Sequence, residues 1–334
     1  MTRLHDLDDV MFDVETRPLF AWDGDRRMPV PQSEAIVALP SGRVVSVVGR
    51  GYRLVSHAEA LELARRCARA AFPETNPGEW QVARVDAPST GGTCFIDLAH
   101  NSAALDFSGV AAKDKPDVYG PFVRVTNSYN RTRALNFDIG YCRKVCQNGL
   151  ILRSTLITFK LNHRRSEIRD ALRFDISPDR LARQRQDFQA FLRRLQACAV
   201  PPSAMAGLAC AVLGLRAPEG VDTTEARLNA WESLSALIAS ASGRYEQELG
   251  ANAYAVLNTV TEFASRPPVN LLVRRDRHSL QRRAGEWAAD FASTCADGQF
   301  DLGRYLETLE VQAATSPAAR AATTRREERA DAGD

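Results

Sequence analysis

Long apolar runs are missing from this chain of 334 residues. None approaches the roughly 18 residues that a membrane-spanning helix needs, so no span is expected. Lysine is scarce: four lysines stand against 39 arginines. Cationic chemistry here is therefore almost entirely guanidinium, which forks onto phosphates and stacks on rings. The seven cysteines (67, 94, 142, 146, 198, 210 and 295) are odd in number and scattered in apolar contexts. That argues against a disulfide framework and for reduced thiols in a cytoplasmic protein. The first residues, MTRLHDLDDVMFDV, are acidic and have no apolar centre, so no secretory signal is expected.

Signatures of familiar chemistry are missing as well. There is no Walker A lysine pattern, no Gly-x-Ser-x-Gly elbow and no His-Glu-x-x-His. Gly49-Arg50-Gly51 follows an apolar run as a dinucleotide fingerprint would. Leu54 stands where the third glycine belongs, and Arg50 would crowd the turn. Cys142 and Cys146 with His163 lack a second ligand pair of comparable spacing, so they read as buried thiols. Asp97, His100, Asp138 and His163 are dispersed and read as solvated or capping groups. No metal and no cofactor are expected, and enzymatic chemistry has no specific support.

What is present is ordinary for a globular chain: 45% hydrophobic and 25% charged residues. The clearest stretch runs from Val125 to His163. Leu135, Phe137, Ile139 and Tyr141 alternate with Asn136, Asp138 and Gly140. That period of two marks a strand with one apolar and one polar face. Phe122 to Val125 is a second strand, and Asn127, Ser128, Asn130 and Thr132 make the turn between them. Asn148-Gly149 supplies the positive φ angles of a tight turn before a third strand, Leu150 to Leu161.

Around this stretch the pattern divides the chain into four. Residues 1–33, with Pro18, Pro29 and Pro31, read as an extended arm with little structure of its own. Residues 34–165 read as β-rich. They hold a hairpin around Pro40-Ser41-Gly42, one helix capped at Ser56, a hairpin across Thr90-Gly91-Gly92 and a long loop over 99–120. Residues 166–314 read as helical. Ser177-Pro178 opens the first helix and Pro201-Pro202 breaks the stripe. Another helix runs from Asp222-Thr223-Thr224-Glu225 to about Ser240, and a further one covers Tyr245 to Phe263. Residues 315–334 read as a disordered tail. The fold class expected is α+β, a mainly antiparallel sheet region followed by helices.

Charge is uneven. Residues 1–119 carry 13 Lys and Arg against 17 Asp and Glu, residues 120–200 carry 16 against 6, and residues 201–334 carry 14 against 18. The net values are −4, +10 and −4. Arg131, Arg133, Arg143, Lys144, Arg153, Lys160, Arg164 and Arg165, beside Tyr129, are the contact residues this implies. Arginine next to rings on a sheet suits single-stranded nucleic acid, with guanidinium on phosphate and ring on base. The competing reading is a solvated face balanced by acidic groups from the flanking segments.

Thr126-Asn127-Ser128-Tyr129, then Arg143, then Cys146-Gln147-Asn148-Gly149 resemble the phage/plasmid-like family catalogued as domain-of-unknown-function family 932. Gly42 to Tyr52 and the helix Ala253 to Phe263, with Asn258, Thr261 and Glu262, are similar to it too, so the resemblance spans roughly residues 35–295. It implies a mobile-element or bacterial origin and no established chemistry. Tyr129-Asn130 departs from the His-Asp of the family pattern, so a role carried by that His does not transfer. Asn258 and Thr261 are expected to hydrogen-bond into the β half.

The functional expectation is a cytoplasmic, non-enzymatic protein binding single-stranded DNA, with no membrane partner and oligomeric state open. Two alternatives stand beside it. One is a nucleic-acid hydrolase with an unrecognised site. The other is a protein-interaction module acting on a host system.

Overall fold

The computed structural model describes residues 3–4, 6–103, 105–112, 115–143, 157–163, 174, 176–218, 224–268, 277–295 and 301–307. The fold is α+β, with β-sheets first and helices after, as the patterning predicts. The chain divides into two compact units. The first is Met1–Phe107, Val118–Gln147 and Thr155–Asp187; the second is Ser108–Asp117, Asn148–Ser154 and Phe188–Asp334.

The larger sheet has seven strands and lies mostly in the first unit. Its strands are β1 (Arg3–Leu4), β5 (Trp80–Pro88), β6 (Thr93–His100), β7 (Leu105–Ala112), β8 (Lys115–Ser128), β9 (Leu135–Arg143) and β10 (Ile157–Leu161). The order is β1-β5-β6-β8-β9-β10, with β7 paired to β8. The long loop expected over 99–120 is therefore a correction: β7 and the start of β8 lie there. A three-stranded sheet of β2 (Val14–Asp23), β3 (Arg26–Ala38) and β4 (Val44–Gly49) accompanies it, preceded by the short helix α1 (Leu7–Val10).

The β2–β3 ribbon corrects the reading of residues 1–33 as an unstructured arm. Proline deterred a strand assignment because it cannot donate to a ladder. Here β3 pairs with β4 only from Ser33 to Val37, so Pro29 and Pro31 face no strand on that side. Pro18 lies on the edge strand β2, beside an irregularity in register.

Helix α2 (His57–Ala71) starts where the capping box places it, with the Ser56 hydroxyl accepting from Glu59 N at 3.0 Å. Ala60, Leu61, Ala64 and Cys67 are buried along its inner stripe. The helix lies across the apolar side of the large sheet. Its first residue meets Asn127 and Tyr129, and Phe72 at its end meets Trp80 and Tyr141. Period-two patterning holds in β9, but the polar side is not left to water. Asp97, Arg124 and Asp138 stand in register across β6, β8 and β9, and all three are buried.

In the second unit, α3 (Pro178–Ala197) enters from the boundary at Phe188 and is followed by α4 (Pro202–Leu213), α5 (Glu225–Leu249), α6 (Ala253–Ser265) and α7 (Arg277–Thr294). Helix α6 packs against α4, α5 and α7, and every residue of it except Glu262 is buried. Such all-round burial fits a helix apolar on nearly every side. Helix α5 does not stop at Ser240 as the patterning suggests; it runs to Leu249. Gly250 then takes φ +89, a conformation that glycine reaches without penalty, and Asn252 caps α6 by accepting from Ala255 N at 3.0 Å. Arg283 on α7 donates to the carbonyls of Ala211 and Val212, placing a cation at the C-terminal end of α4.

Candidate functional site: a cationic cleft at the 129–134 turn

The turn between β8 and β9 is closed by its own side chains. The Ser128 hydroxyl accepts from Arg133 N at 3.1 Å and donates to Arg133 O at 2.7 Å. Asn130 Oδ1 accepts from Thr132 N at 3.2 Å and from the Thr132 hydroxyl at 2.6 Å, a local turn that asparagine favours. Arg131 between them has φ +60, the left-handed conformation that L side chains rarely adopt. The result is a rigid corner carrying Arg131 and Arg133, both exposed.

Behind the corner, Asn127 and Tyr129 are hydrogen-bonded into the interior. Asn127 Nδ2 donates to Val55 O at 2.9 Å and to His57 Nδ1 at 3.0 Å. His57 Nε2 in turn faces Gly91 O at 2.9 Å, so that nitrogen carries the proton and Nδ1 accepts. The Tyr129 ring stacks on His57 at 4.1 Å, and its hydroxyl accepts from His57 N at 2.8 Å, satisfying a donor at the start of α2. Tyr129 is 0% exposed and packs with Ile36 and Val48. Its assignment as a base-stacking ring is therefore corrected: an aromatic beside a turn went into the core because helix α2 covers it. Tyr141 is buried for the same reason.

In front of the corner is an open cleft of about 900 Å³, lined by Gly49, Gly51, Tyr52, residues 131–134, Lys160, Asn162 and His163. Three segments far apart in sequence supply it: the end of β4, the 129–134 turn and the end of β10. Tyr52 is anchored by its hydroxyl, which donates to Ser128 O at 2.6 Å. Its ring stacks on His163, centroids 4.7 Å apart and planes at 14°. His163 Nδ1 lies 3.1 Å from Arg53 O, while Arg53 N donates back to His163 O at 2.9 Å. Among the described residues the lining holds Arg131, Arg133 and Lys160 and no carboxylate. None of these three cations forms an ion pair with a described residue.

Of the residues proposed from sequence, the structure thus brings together Arg131, Arg133 and Lys160. Arg143 is corrected: it is 3% exposed, in register with Tyr119, and not a surface contact. Lys144, Arg153, Arg164, Arg165, Cys146, Asn148 and Gly149 lie outside the described residues. Asn258, Thr261 and Glu262 sit in the helical unit. Asn258 Nδ2 donates to Tyr254 O, the Thr261 hydroxyl donates to Asn258 O, and Glu262 accepts from Arg244 and Tyr245 at 2.7 Å each. These bonds lie within α6 and between α6 and α5.

Sequence reasoning missed Tyr52, and it weighed His163 only as a metal or acid–base group. The Gly49-Arg50-Gly51 signal was present but belongs to a cleft wall, not a dinucleotide turn. Asp97 and Asp138, read as dispersed, flank Arg124 instead. Arg124 makes a bidentate pair with Asp97 at 2.5 and 2.6 Å, and the Thr158 hydroxyl donates to Asp138 at 2.8 Å. Asp97 holds the buried Arg124 guanidinium in its charged form against burial. His100 accepts from Ala103 N and faces Asn76 O, a loop-bracing role. Among the described residues no group of three or more His, Cys, Asp or Glu is placed to hold a metal ion, and no helix is long and apolar enough to cross a membrane.

Fold and site together define an α+β protein with a cationic cleft at a sheet corner. A family model described as Domain of unknown function (DUF932) matches residues 44–286, and the chain belongs to that family. The match takes in every segment of the cleft. Neither the curated proteins nor the solved structures yield a match.

Proposed function

We propose that this protein binds single-stranded nucleic acid without cutting it, in a cytoplasmic setting of the phage or plasmid type. The observation that carries the reading is the convergence of Arg131, Arg133 and Lys160 on one open cleft whose described lining has no carboxylate. Cations with no ion-pair partner among the described residues are available to phosphates, and guanidinium is the group best shaped for them. The corner that presents Arg131 and Arg133 is closed by its own hydrogen bonds, so little backbone ordering is left to oppose binding.

Fluorescence anisotropy of a labelled oligonucleotide across a salt series tests this. Affinity falls with a log–log slope of about −0.7 per phosphate contact on single strands. A double variant, Arg131→Gly with Arg133→Ser, lowers both affinity and the magnitude of the slope. Its thermal midpoint holds or rises, because glycine at position 131 removes a left-handed backbone cost of about 1–2 kcal/mol. Absence of binding at low salt by folded protein would remove the reading. Time-dependent cleavage of the oligonucleotide with added magnesium would replace it with a hydrolase.

A further inference from the structure

His163 is the residue of the cleft whose hydrogen bonding is incomplete. It is 8% exposed, so more than nine-tenths of it is out of water, and it forms part of the cleft wall. Its Nδ1 faces the Arg53 carbonyl, which accepts only, so Nδ1 carries a proton. The second nitrogen, Nε2, is buried and meets no hydrogen-bond partner among the described residues. Flipping the ring would give up the Arg53 bond. A buried polar atom left this way in a folded protein calls for an explanation.

The charges around the ring supply one. Arg131 and Arg133 come from the turn, Lys160 from β10, and His57 from the start of α2 lies on the far side. Arg53 is beside it and is paired with Glu59 at 3.5 Å. Tyr52 covers one face, with its hydroxyl committed to Ser128. Burial lowers the pKa of His163, and the hydrogen bond to Arg53 O opposes that shift in part. The ring is therefore neutral in the free protein, with a lone pair on Nε2. An anion in the cleft places negative charge beside the ring and so favours a proton on Nε2.

We infer that the cleft is a site for a terminal phosphate group, and that His163 takes up one proton at Nε2 when the group binds. This rests on the anionic-ligand reading above and narrows it. Three cations and an imidazolium match a dianion better than the single charge of an internal phosphodiester. A phosphomonoester carries about −1.5 to −2 at neutral pH, because its second pKa lies near 6. The group has two natural sources, the end of a nucleic-acid strand or a small phosphorylated metabolite, and the chemistry at the site is the same for both.

The linkage has a definite sign. The free protein holds His163 below its ordinary pKa, and the bound state holds it above. Between the two values binding takes up a proton, so affinity rises as pH falls, by up to about tenfold per unit. Because phosphate itself titrates near pH 6, sulfate, a dianion throughout this range, is the cleaner probe.

The full chain is used for three measurements. The His163 ring proton is followed by NMR from pH 5 to 8 with and without sulfate. Calorimetry of sulfate binding is run in two buffers of different ionisation enthalpy, on wild type and on His163→Gln. Oligonucleotides differing only in a 5′-phosphate or a 5′-hydroxyl are compared by anisotropy. The expected results are an upward shift of the His163 titration with sulfate and uptake approaching one proton in wild type alone. An oligonucleotide preference for the 5′-phosphate of about tenfold points to strand ends as the source. Sulfate binding with proton uptake but no binding of either oligonucleotide supports the site, assigns it to small phosphorylated molecules and removes the nucleic-acid reading. Equal oligonucleotide affinities with an unmoved His163 titration overturn the inference and leave that reading intact. The NMR arm uses wild type only, so it decides the matter even if His163→Gln does not fold.

Discussion

His57 is held neutral by its surroundings, and that has a consequence for acid stability. Its Nε2–H points at Gly91 O, its Nδ1 accepts from Asn127, and burial pushes its pKa from 6.5 to about 4. In the unfolded chain the ring titrates at its ordinary value. As pH falls, the unfolded state therefore binds the proton first. The stability that His57 contributes is complete above the unfolded value of 6.5, declines below it, and is gone by about pH 4. The gap corresponds to about 3 kcal/mol. Urea unfolding of wild type and His57→Gln across this window measures it. Wild type should lose more stability on acidification than the variant; parallel curves would mean that the ring is charged in the fold. His163, by contrast, has a nitrogen with nothing described to meet it.

Strand β9 shows how one element serves two sides. Phe137 is fully buried on the side that α2 covers, and Asn136 beside it is half-buried on the other. Phe137→Ala should lower stability by about 3–5 kcal/mol, the range for truncating a core phenylalanine. Asn136→Ser should lower it far less. Asp97→Ala belongs with the costly change, because it strands the Arg124 guanidinium in a buried place. Breaking such a pair by removing one partner costs about 3–5 kcal/mol. Denaturant midpoints of the three variants test the ranking. If Asp97→Ala shifts the midpoint no more than Asn136→Ser, the polar side of the sheet is open to water.

At the scale of the whole molecule, the +10 of residues 120–200 does not translate directly into a surface. Arg124 and Arg143 contribute to that sum from the interior. The charge available in the cleft is the smaller set of Arg131, Arg133 and Lys160. The thiols follow the same logic of burial. Cys67, Cys94, Cys142, Cys198 and Cys210 are buried, and Cys295 is half-buried. Burial raises the thiol of Cys94 to about 12 and that of Cys210 to about 11, so thiolate is scarce at neutral pH. A thiol reagent should label these slowly in native protein and label all seven cysteines after unfolding without reductant. A count of five or fewer in the unfolded protein would reveal a disulfide.

Local chemistry was legible in the sequence wherever a few adjacent residues decide the outcome. Ser56 with Glu59 announced α2, Ser177-Pro178 announced α3, and the alternation from Leu135 to Tyr141 announced β9. Asn130 and Thr132 announced a turn, although Asn127 and Ser128 before them belong to strand β8, and the order of strands before helices announced the fold class. These signals are short-range because caps, turns and period-two burial act within a few residues of backbone. The β2–β3 ribbon was hidden because a free strand edge tolerates proline, and an edge is a property of the sheet, not of the strand. The cleft was hidden for the same kind of reason. Gly49 to Tyr52, Arg131 to Ala134 and Lys160 to His163 meet only after strand register has set them side by side. Whether an arginine faces water, an aspartate or a ligand depends on what the rest of the chain packs over it. Tertiary packing therefore decided that Arg124 and Tyr129 lie inside while Arg131, Arg133 and Lys160 stand open.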